Sequence, residues 1–127
     1  MADPGKLHYT KDHEWVQLEG NRAKVGITAH AQSQLGDIVF VELPEVGGDF
    51  KRGDILGTVE SVKAVSDIFA PMSGSIVEVN SELEATPETM NEDPYGAGWL
   101  VVIEVSNPSE ADELLDSAAY DELASEE

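Results

Sequence analysis

The amino-acid sequence predicts a mostly β fold in which two antiparallel sheets pack face to face. Short apolar or alternating segments recur along the chain and are separated by Gly, Pro, Asn and Asp. The chain has only 3 Phe, 3 Tyr and 2 Trp, so its core must be mainly aliphatic, which suits short strands. An internal echo repeats after 38 residues. Its members are Gly36, Ile38, Val39 and Val41, and then Gly74, Ile76, Val77 and Val79. Two copies are too few for a repeat array, and two related sheets packed face to face explain them better. The segment between the copies must then cross from one half of the fold to the other.

Seven segments have the length and pattern of strands. They are Trp15 to Leu18, Ala23 to Ile27, Ile38 to Leu43, Ile55 to Val62, Val65 to Ala70, Ile76 to Val79 and Trp99 to Val105. Glu19, Gly20 and Asn21 form a hairpin loop between the first two, because Gly and Asn tolerate the positive φ angles of tight turns. The early strands are therefore expected to pair locally.

Two segments have helix signals. Thr28 is a capping hydroxyl before Ala29 to Leu35, and Gly36 can end that short helix in the left-handed conformation. A second helical segment is expected at 109–126, with Ser109 as its cap, Asp112 three residues on and a break near Ser117. Its apolar stripe should pack on the sheets. The leucines of that stripe are Leu114, Leu115 and Leu123.

Length and composition limit the classes of protein that the chain can form. At 127 residues it fits a single domain, 1–127, with a core at about 7–105. A net charge of −19 disfavours nucleic acid and anionic membranes as partners. There is no Cys, so disulfides, thiolate metal sites and a thiol nucleophile are excluded, and any sulfur chemistry needs an added group. With no apolar signal segment at the start, we expect a soluble, cytoplasmic monomer.

One lysine is unusual in its surroundings. Lys63 and Ala64 separate two apolar segments, a spacing that predicts a hairpin whose turn exposes Lys63. Lys63 is also the last basic residue, since the 64 residues after it contain 16 acids and no Lys or Arg. Most lysines at turns are simply solvated, so the position alone does not define a site.

Several blocks around this lysine carry a family resemblance. They are HEWV at 13–16, GIT at 26–28, GDIVFVELPEVG at 36–47, VESVKAVSD at 59–67, APMSG at 70–74 and NEDPYGAGWL at 91–100. In this order and at these spacings, the sequence resembles the H proteins of the glycine cleavage system, which are relatives of biotinyl and lipoyl carrier domains. The resemblance covers nearly the whole chain. It implies a lipoyl-domain-like fold, a barrel-sandwich hybrid of two sheets with a short helix in the N-terminal half and a C-terminal helix.

The resemblance implies that Lys63 bears lipoic acid in amide linkage as N6-lipoyllysine, and that the protein is a non-catalytic carrier in glycine catabolism. The arm would take an aminomethyl group from a pyridoxal-phosphate glycine decarboxylase to an aminomethyltransferase, and dihydrolipoyl dehydrogenase would reoxidise it. A separate lipoylating enzyme would attach the arm. The resemblance assigns recognition by that enzyme to Glu60 and Gly47.

The resemblance also assigns Glu14 and Asp67 to a cleft for the loaded arm, and Asp12 is a further candidate. Carboxylates there would keep the amine of the cargo protonated. From the residues themselves, only the nearness of Asp67 to Lys63 is visible, and acids are usually just solvated. Some members have His at the position of Gln34, so a mechanism that needs an imidazole there does not transfer to this chain.

Four other classes compete with a lipoyl carrier. A biotin carrier typically has Met on both sides of its lysine, whereas Lys63 lies between Val62 and Ala64. A small hydrolase or lyase would need a titrating pair in a pocket, and a binding module or a lipoyl relay would share the fold. A metal site is not expected. The HExxH pattern is missing at His13, because no His follows it at the required spacing, and neither His8 nor His30 has a paired ligand signal.

Overall fold

A computed structural model describes residues 7–125 of the chain, except for the side chains of residues 108, 117 and 125. Nine strands and four short α-helices make up most of the described chain. The strands are β1 (His8–Tyr9), β2 (Glu14–Glu19), β3 (Arg22–Ile27), β4 (Ile38–Glu42), β5 (Asp49–Phe50), β6 (Ile55–Ser61), β7 (Val65–Phe69), β8 (Gly74–Val79) and β9 (Val101–Val105). The helices are α1 (Ala29–Leu35), α2 (Glu82–Ala85), α3 (Thr89–Glu92) and α4 (Ser117–Ser125). None of these helices is long and apolar enough to cross a membrane.

The strands form two antiparallel sheets, which confirms the predicted fold class. The larger sheet has the order β1-β2-β3-β9-β8-β5, and the smaller has the order β4-β6-β7. The two copies of the sequence echo fall on β4 and β8, one in each sheet. The segment between the copies contains the β6–β7 hairpin, so Lys63 lies where the echo suggested.

The seven predicted strands are present, and their ends agree within two residues. Gly20 and Asn21 connect β2 to β3, and Gly20 has a φ of +62°, as expected of this loop. The sequence pattern missed β1 and β5, which have two residues each and therefore no measurable periodicity. It also missed α2 and α3, because four-residue helices are too short to show an amphipathic stripe.

The main hydrophobic core lies between the sheets. Its fully buried residues include Val25 and Ile103 from the larger sheet and Val41 and Val59 from the smaller one. Burying one such side chain contributes roughly 1.5–3 kcal/mol before chain entropy is counted. The alternation that buries Val41 and Val59 turns their neighbours Phe40 and Glu60 outward, and this sets the outer face of the smaller sheet.

The C-terminal segment differs from the single capped helix that was expected. Pro108–Glu113 forms a 3₁₀ helix that starts after Asn107, so Ser109 is not its cap. Leu115 then exchanges two backbone hydrogen bonds with Tyr9, each 2.7 Å long, and this extended pairing prevents the helix from continuing. The interruption agrees with the predicted break near Ser117, since α4 starts at that residue. Residue 126 of the predicted range lies outside the described residues.

The predicted leucines do pack against the body of the protein. Leu115 and Leu123 contact the cluster of Leu7, Tyr9, Trp15 and Tyr120, whereas Leu114 contacts a separate cluster beneath the larger sheet. Tyr120 is the anchor of α4 because its ring stacks on Tyr9 at 4.6 Å and its hydroxyl lies 2.7 Å from Oγ1 of Thr28.

Candidate functional site

Lys63 lies in the tight turn between β6 and β7, with its side chain exposed. The buried side chain of Ser61 shapes this turn. Its Oγ accepts hydrogen bonds from the backbone N–H groups of Lys63 and Ala64, both at 3.1 Å. The backbone N–H of Ser61 also donates to the carbonyl of Ala64 at 2.8 Å. A serine hydroxyl therefore replaces the Asn-Gly pair that this hairpin lacks.

The stem of Lys63 passes over the end of helix α1. A Cβ placed on Gly36 would lie 3.4 Å from Cε of Lys63. Gly36 also has a φ of +80°, in the left-handed region where other residues are strained. Within residues 7–125, no carboxylate lies at ion-pair distance from the Lys63 ammonium. The amine is therefore accessible and unpaired within the described chain.

Asn91, on helix α3, holds the backbone next to this turn. Its Nδ2 donates to the carbonyl of Gly36 at 2.8 Å, and its Oδ1 accepts from the N–H of Ile38 at 2.8 Å. Asp37, between these two residues, accepts a hydrogen bond from the N–H of Val62 at 3.1 Å. One amide side chain thus fixes the segment against which the Lys63 turn is hydrogen-bonded.

The other end of α1 is held by the same sequence block, NEDPYGAGWL. The hydroxyl of Tyr95 accepts a hydrogen bond from the N–H of Ala29, the first residue of α1, at 3.0 Å. The carbonyl of Pro94 accepts from Nε1 of Trp15 at 2.8 Å, which attaches the block to β2. Both ends of α1 therefore depend on one loop, and Lys63 rests on the second of these ends.

Glu14 is the most unusual acid in the structure because it is only 1% exposed. Its Oε2 accepts a hydrogen bond from the backbone N–H of Phe69 at 2.6 Å, and its Oε1 accepts from Oγ1 of Thr10 at 3.3 Å. Burial, together with the nearby charge of Asp12, raises the pKa of the Glu14 carboxyl to about 8, against the lowering effect of its hydrogen bonds from Phe69 and Thr10. At neutral pH this carboxyl is mostly protonated.

The three predicted cleft acids are only partly brought together. Asp12 and Glu14 line a cleft of about 450 Å³, together with Phe69, but Asp67 is not among the residues that line it. Asp67 is exposed on β7, two residues before Phe69. From Lys63 to Phe69 the chain advances by roughly 20 Å if it is fully extended. The acids therefore lie along the path of β7, and not at the lysine itself.

Glu60 and Gly47 lie on the smaller sheet and in the loop that follows β4. Glu60 is exposed on β6, three residues before Lys63, and is paired with Phe40 on one side and Val65 on the other. Gly47 has a φ of +95° and donates its N–H to the carbonyl of Ile76 at 2.8 Å. It lines a groove of about 660 Å³ that is also lined by Thr58, two residues before Glu60.

Sequence reasoning missed Ser61, Gly36 and Asn91 as residues that shape the site. Ser61 was hidden in a strand pattern, and Gly36 was assigned only to the helix end. Asn91 had no detectable local signal, because its partners are more than 50 positions away. No cluster of three or more His, Cys, Asp or Glu side chains suited to a metal ion is found between residues 7 and 125.

A two-sheet β fold that presents an accessible lysine on a braced hairpin turn is the arrangement expected of a carrier of a covalent arm. The family model for the glycine cleavage H-protein matches residues 7–127. The chain therefore belongs to the glycine cleavage H-protein family, the lipoyl carriers of the glycine cleavage system.

Two relatives and a solved structure agree with this assignment. The chain is 58% identical over 123 residues to a glycine cleavage system H protein of Symbiobacterium thermophilum, which covers 97% of this chain and 96% of that protein. It is 55% identical over 126 residues to the H protein of Staphylococcus epidermidis, covering 99% and 100%. A crystal structure of an H protein from Mycobacterium marinum superposes with a TM-score of 0.85 at 45% identity, covering 98% of each chain.

Asn91→Ala should loosen the Lys63 turn, because it removes both hydrogen bonds that fix residues 36–38. We expect the Val62 and Ile38 amides to exchange with deuterium at least tenfold faster, measured by NMR. Asn80→Ala is the matched control, since the Nδ2 of Asn80 likewise donates to backbone carbonyls, in two hydrogen bonds at Ala97 and Trp99. Equal protection of Val62 in the two variants would contradict this role for Asn91.

Glu14→Gln should change how stability depends on pH. Because the pKa of Glu14 is raised from its ordinary value of 4.5 to about 8 in the folded state, that state keeps a proton that the unfolded chain loses above pH 4.5. Wild-type stability should therefore fall relative to the variant as pH rises from 5 to 8, on the order of 1 kcal/mol per pH unit. Urea unfolding at several pH values measures this difference. Glu19→Gln, at an exposed acid, should show no such slope, and a flat difference for Glu14→Gln would refute the buried-acid interpretation.

Proposed function

We propose that Lys63 carries the lipoyl group and that the whole chain, 1–127, acts as a single, non-catalytic carrier domain. The observation that carries this proposal is the accessible Lys63 amine on a turn held by Ser61 and braced through Asn91. A lipoyl arm needs a fixed point of attachment and space in which to move, and an exposed lysine on a hydrogen-bonded turn supplies both. When bound, the lipoyl group supplies the disulfide that accepts the aminomethyl fragment of glycine.

The partners follow from that role. A pyridoxal-phosphate glycine decarboxylase would load the carrier, an aminomethyltransferase would unload it, dihydrolipoyl dehydrogenase would reoxidise it, and a lipoylating enzyme would modify it beforehand. The net charge of −19 favours encounters with basic surfaces on these enzymes. We infer a monomer, since like-charged copies repel one another. We place it in the cytoplasm.

We further propose that Glu14 and Asp67, with Asp12, hold the ammonium of the loaded arm. Glu14 is protonated in the empty cleft, since its pKa is about 8, and an arriving cation would favour its ionised form. Asp67 and Asp12 are exposed or at the cleft rim, so they would attract the cation before it is desolvated. An amine held as ammonium has no lone pair with which to expel the neighbouring sulfur.

Lys63→Arg should fold normally and lose all carrier function, because a guanidinium cannot form the lipoyl amide. Intact mass after incubation with a lipoylating enzyme should show no added group, and glycine-dependent CO₂ exchange with the decarboxylase should stop. Lys51→Arg, at another exposed lysine, is the control and should behave as wild type. A lipoyl-sized mass increment on Lys63→Arg would overturn the assignment.

The pair Glu14→Gln and Asp67→Asn should leave lipoylation and reoxidation intact but shorten the lifetime of the loaded protein. A charge-assisted hydrogen bond of about 1.5–3 kcal/mol corresponds to a roughly ten- to hundredfold change in the free amine. Formaldehyde release from the isolated loaded protein measures the decay. The pair Glu78→Gln and Glu104→Gln makes the same kind of acid-to-amide change at two exposed residues of the larger sheet and should decay as wild type. Equal decay in both pairs would remove the cleft acids from the proposal.

A further inference from the structure

One hydroxyl at the cleft makes three hydrogen bonds. Thr10 lies between β1 and β2 and lines the same cleft as Glu14. Its Oγ1 accepts hydrogen bonds from the backbone N–H groups of Asp12 and Glu14, both at 3.2 Å. The same Oγ1 donates to Oε1 of Glu14 at 3.3 Å. A hydroxyl has one donor position and two acceptor positions, so all three are occupied by this loop and by the Glu14 carboxyl.

The loop of residues 10–14 is itself closed by backbone hydrogen bonds. The Thr10 N–H donates to the carbonyl of Glu14 at 2.9 Å, and the His13 N–H donates to the carbonyl of Thr10 at 3.2 Å. His13 has a φ of +65°, which is uncommon for a residue other than glycine. The His13 carbonyl accepts from the N–H of Thr28 at 3.0 Å, which attaches the loop to the start of α1. Thr10 therefore has a fixed position relative to the Glu14 carboxyl.

The Glu14 carboxyl is held from both sheets. Thr10 follows β1 of the larger sheet and contacts Oε1, whereas the Phe69 N–H belongs to β7 of the smaller sheet and donates to Oε2 at 2.6 Å. A carboxyl that is held at one oxygen alone can still turn about its bond to the side chain. The Thr10 hydroxyl, at the second oxygen, therefore fixes the plane of the carboxyl group.

The charges around the cleft make this carboxyl decisive for binding a cation. The charged residues that line the cleft are Lys11, Asp12, Glu14, Arg52 and Glu113. While Glu14 is protonated, the two cations balance the other two carboxylates, and Arg52 is already paired with Glu113 at 3.2 Å. These four charges cancel and offer an ammonium little net attraction. Firm binding of the cation therefore requires an ionised and correctly oriented Glu14.

We propose that Thr10 is the positioning residue of the ammonium site: its hydroxyl orients the Glu14 carboxyl and stabilises the ionised form that pairs with the amine of the loaded arm. This role rests on the proposed function of the cleft. Thr10 acts through Glu14 and not on the cargo, because its hydroxyl already has three partners in the protein.

Ionisation of Glu14 should strengthen the Thr10 contact. Hydrogen bonds to ionised acceptors are shorter and stronger than those to neutral ones, and at 3.3 Å this contact has room to shorten. The Thr10 hydrogen bond also lowers the pKa of the Glu14 carboxyl against the effect of burial. When an ammonium arrives, Thr10 therefore favours release of the Glu14 proton to solvent. The carboxylate that remains is already oriented.

The test is a double-mutant cycle on the full-length, loaded protein, with formaldehyde release as the measure of decay. Thr10→Val removes the hydroxyl with little change of shape and should make decay roughly fivefold faster, the effect of one lost hydrogen bond. Thr10→Ser keeps the hydroxyl and should stay within twofold of wild type. In a Glu14→Gln background, Thr10→Val should add less than twofold, because its effect passes through the carboxylate. Thr10→Ala takes the place of Thr10→Val, with the same expectations, if the valine variant does not fold.

Thr28→Val is the matched structural control. Oγ1 of Thr28 also accepts a backbone N–H, from Ala31 at 3.2 Å, and lies 2.7 Å from the Tyr120 hydroxyl. This variant should decay within twofold of wild type at a temperature at which all variants are folded. A carbon NMR titration of the unmodified protein gives a readout without the arm. Thr10→Val should raise the pKa of the Glu14 carboxyl further, and Thr28→Val should leave it unchanged.

The outcomes separate the role of Thr10 from the proposed function. If Glu14→Gln alone decays at the wild-type rate, the ammonium site fails and the role of Thr10 fails with it. Fast decay of Glu14→Gln combined with wild-type decay of Thr10→Val overturns only the role of Thr10. Equal acceleration by Thr10→Val with and without the Glu14 carboxyl also overturns it, because Thr10 would then only hold the loop together. An unchanged Glu14 pKa in Thr10→Val has the same consequence.

Discussion

The two hydrogen bonds of the Asn91 amide are the constraint on which the rest of the site depends. They join the end of α1 to the start of β4, and Asp37 between them receives the Val62 N–H of the lysine turn. The proposed arm on Lys63 has to move while its point of attachment stays fixed, because a moving attachment point would add its own positional freedom to every encounter. The turn is therefore rigid through contacts made by a helix far away in sequence.

Glu14 illustrates a different balance between stability and use. Because the Glu14 carboxyl is only 1% exposed, it lowers the stability of the folded protein as pH rises. Two hydrogen bonds to its oxygens partly offset the cost of burying it. Such a group is poised to respond to a cation, whereas a fully solvated acid would gain little from the same encounter. The raised pKa of about 8 thus results mainly from the burial of Glu14 at the wall of the cleft.

Local sequence signals predicted the parts of the fold whose causes are local. Thr28 and Gly36 bound α1 as expected, since a cap and a left-handed stop act within a few residues. The β6–β7 hairpin also followed from its two apolar segments. The Asn91 contacts and the meeting of Glu14 with Phe69 were not predictable, because 55 positions separate the partners and no periodicity encodes them. The cap of the C-terminal segment was wrongly placed at Ser109, because a 3₁₀ helix starts there after Asn107. The extended pairing of Leu115 with Tyr9 could not be predicted either, since Tyr9 lies near the other end of the chain.

The Glu14–Phe69 hydrogen bond also bears on self-association. Strand β7 is an edge strand of the smaller sheet, and an open edge offers its backbone donors to any extended chain that approaches. By accepting the Phe69 N–H, the Glu14 side chain removes one of these donors and places an acid beside the strand end. An intruding strand would have to displace a buried carboxyl before it could pair there. Glu14, which lines the cleft, therefore also blocks edge-to-edge strand pairing at this position of β7.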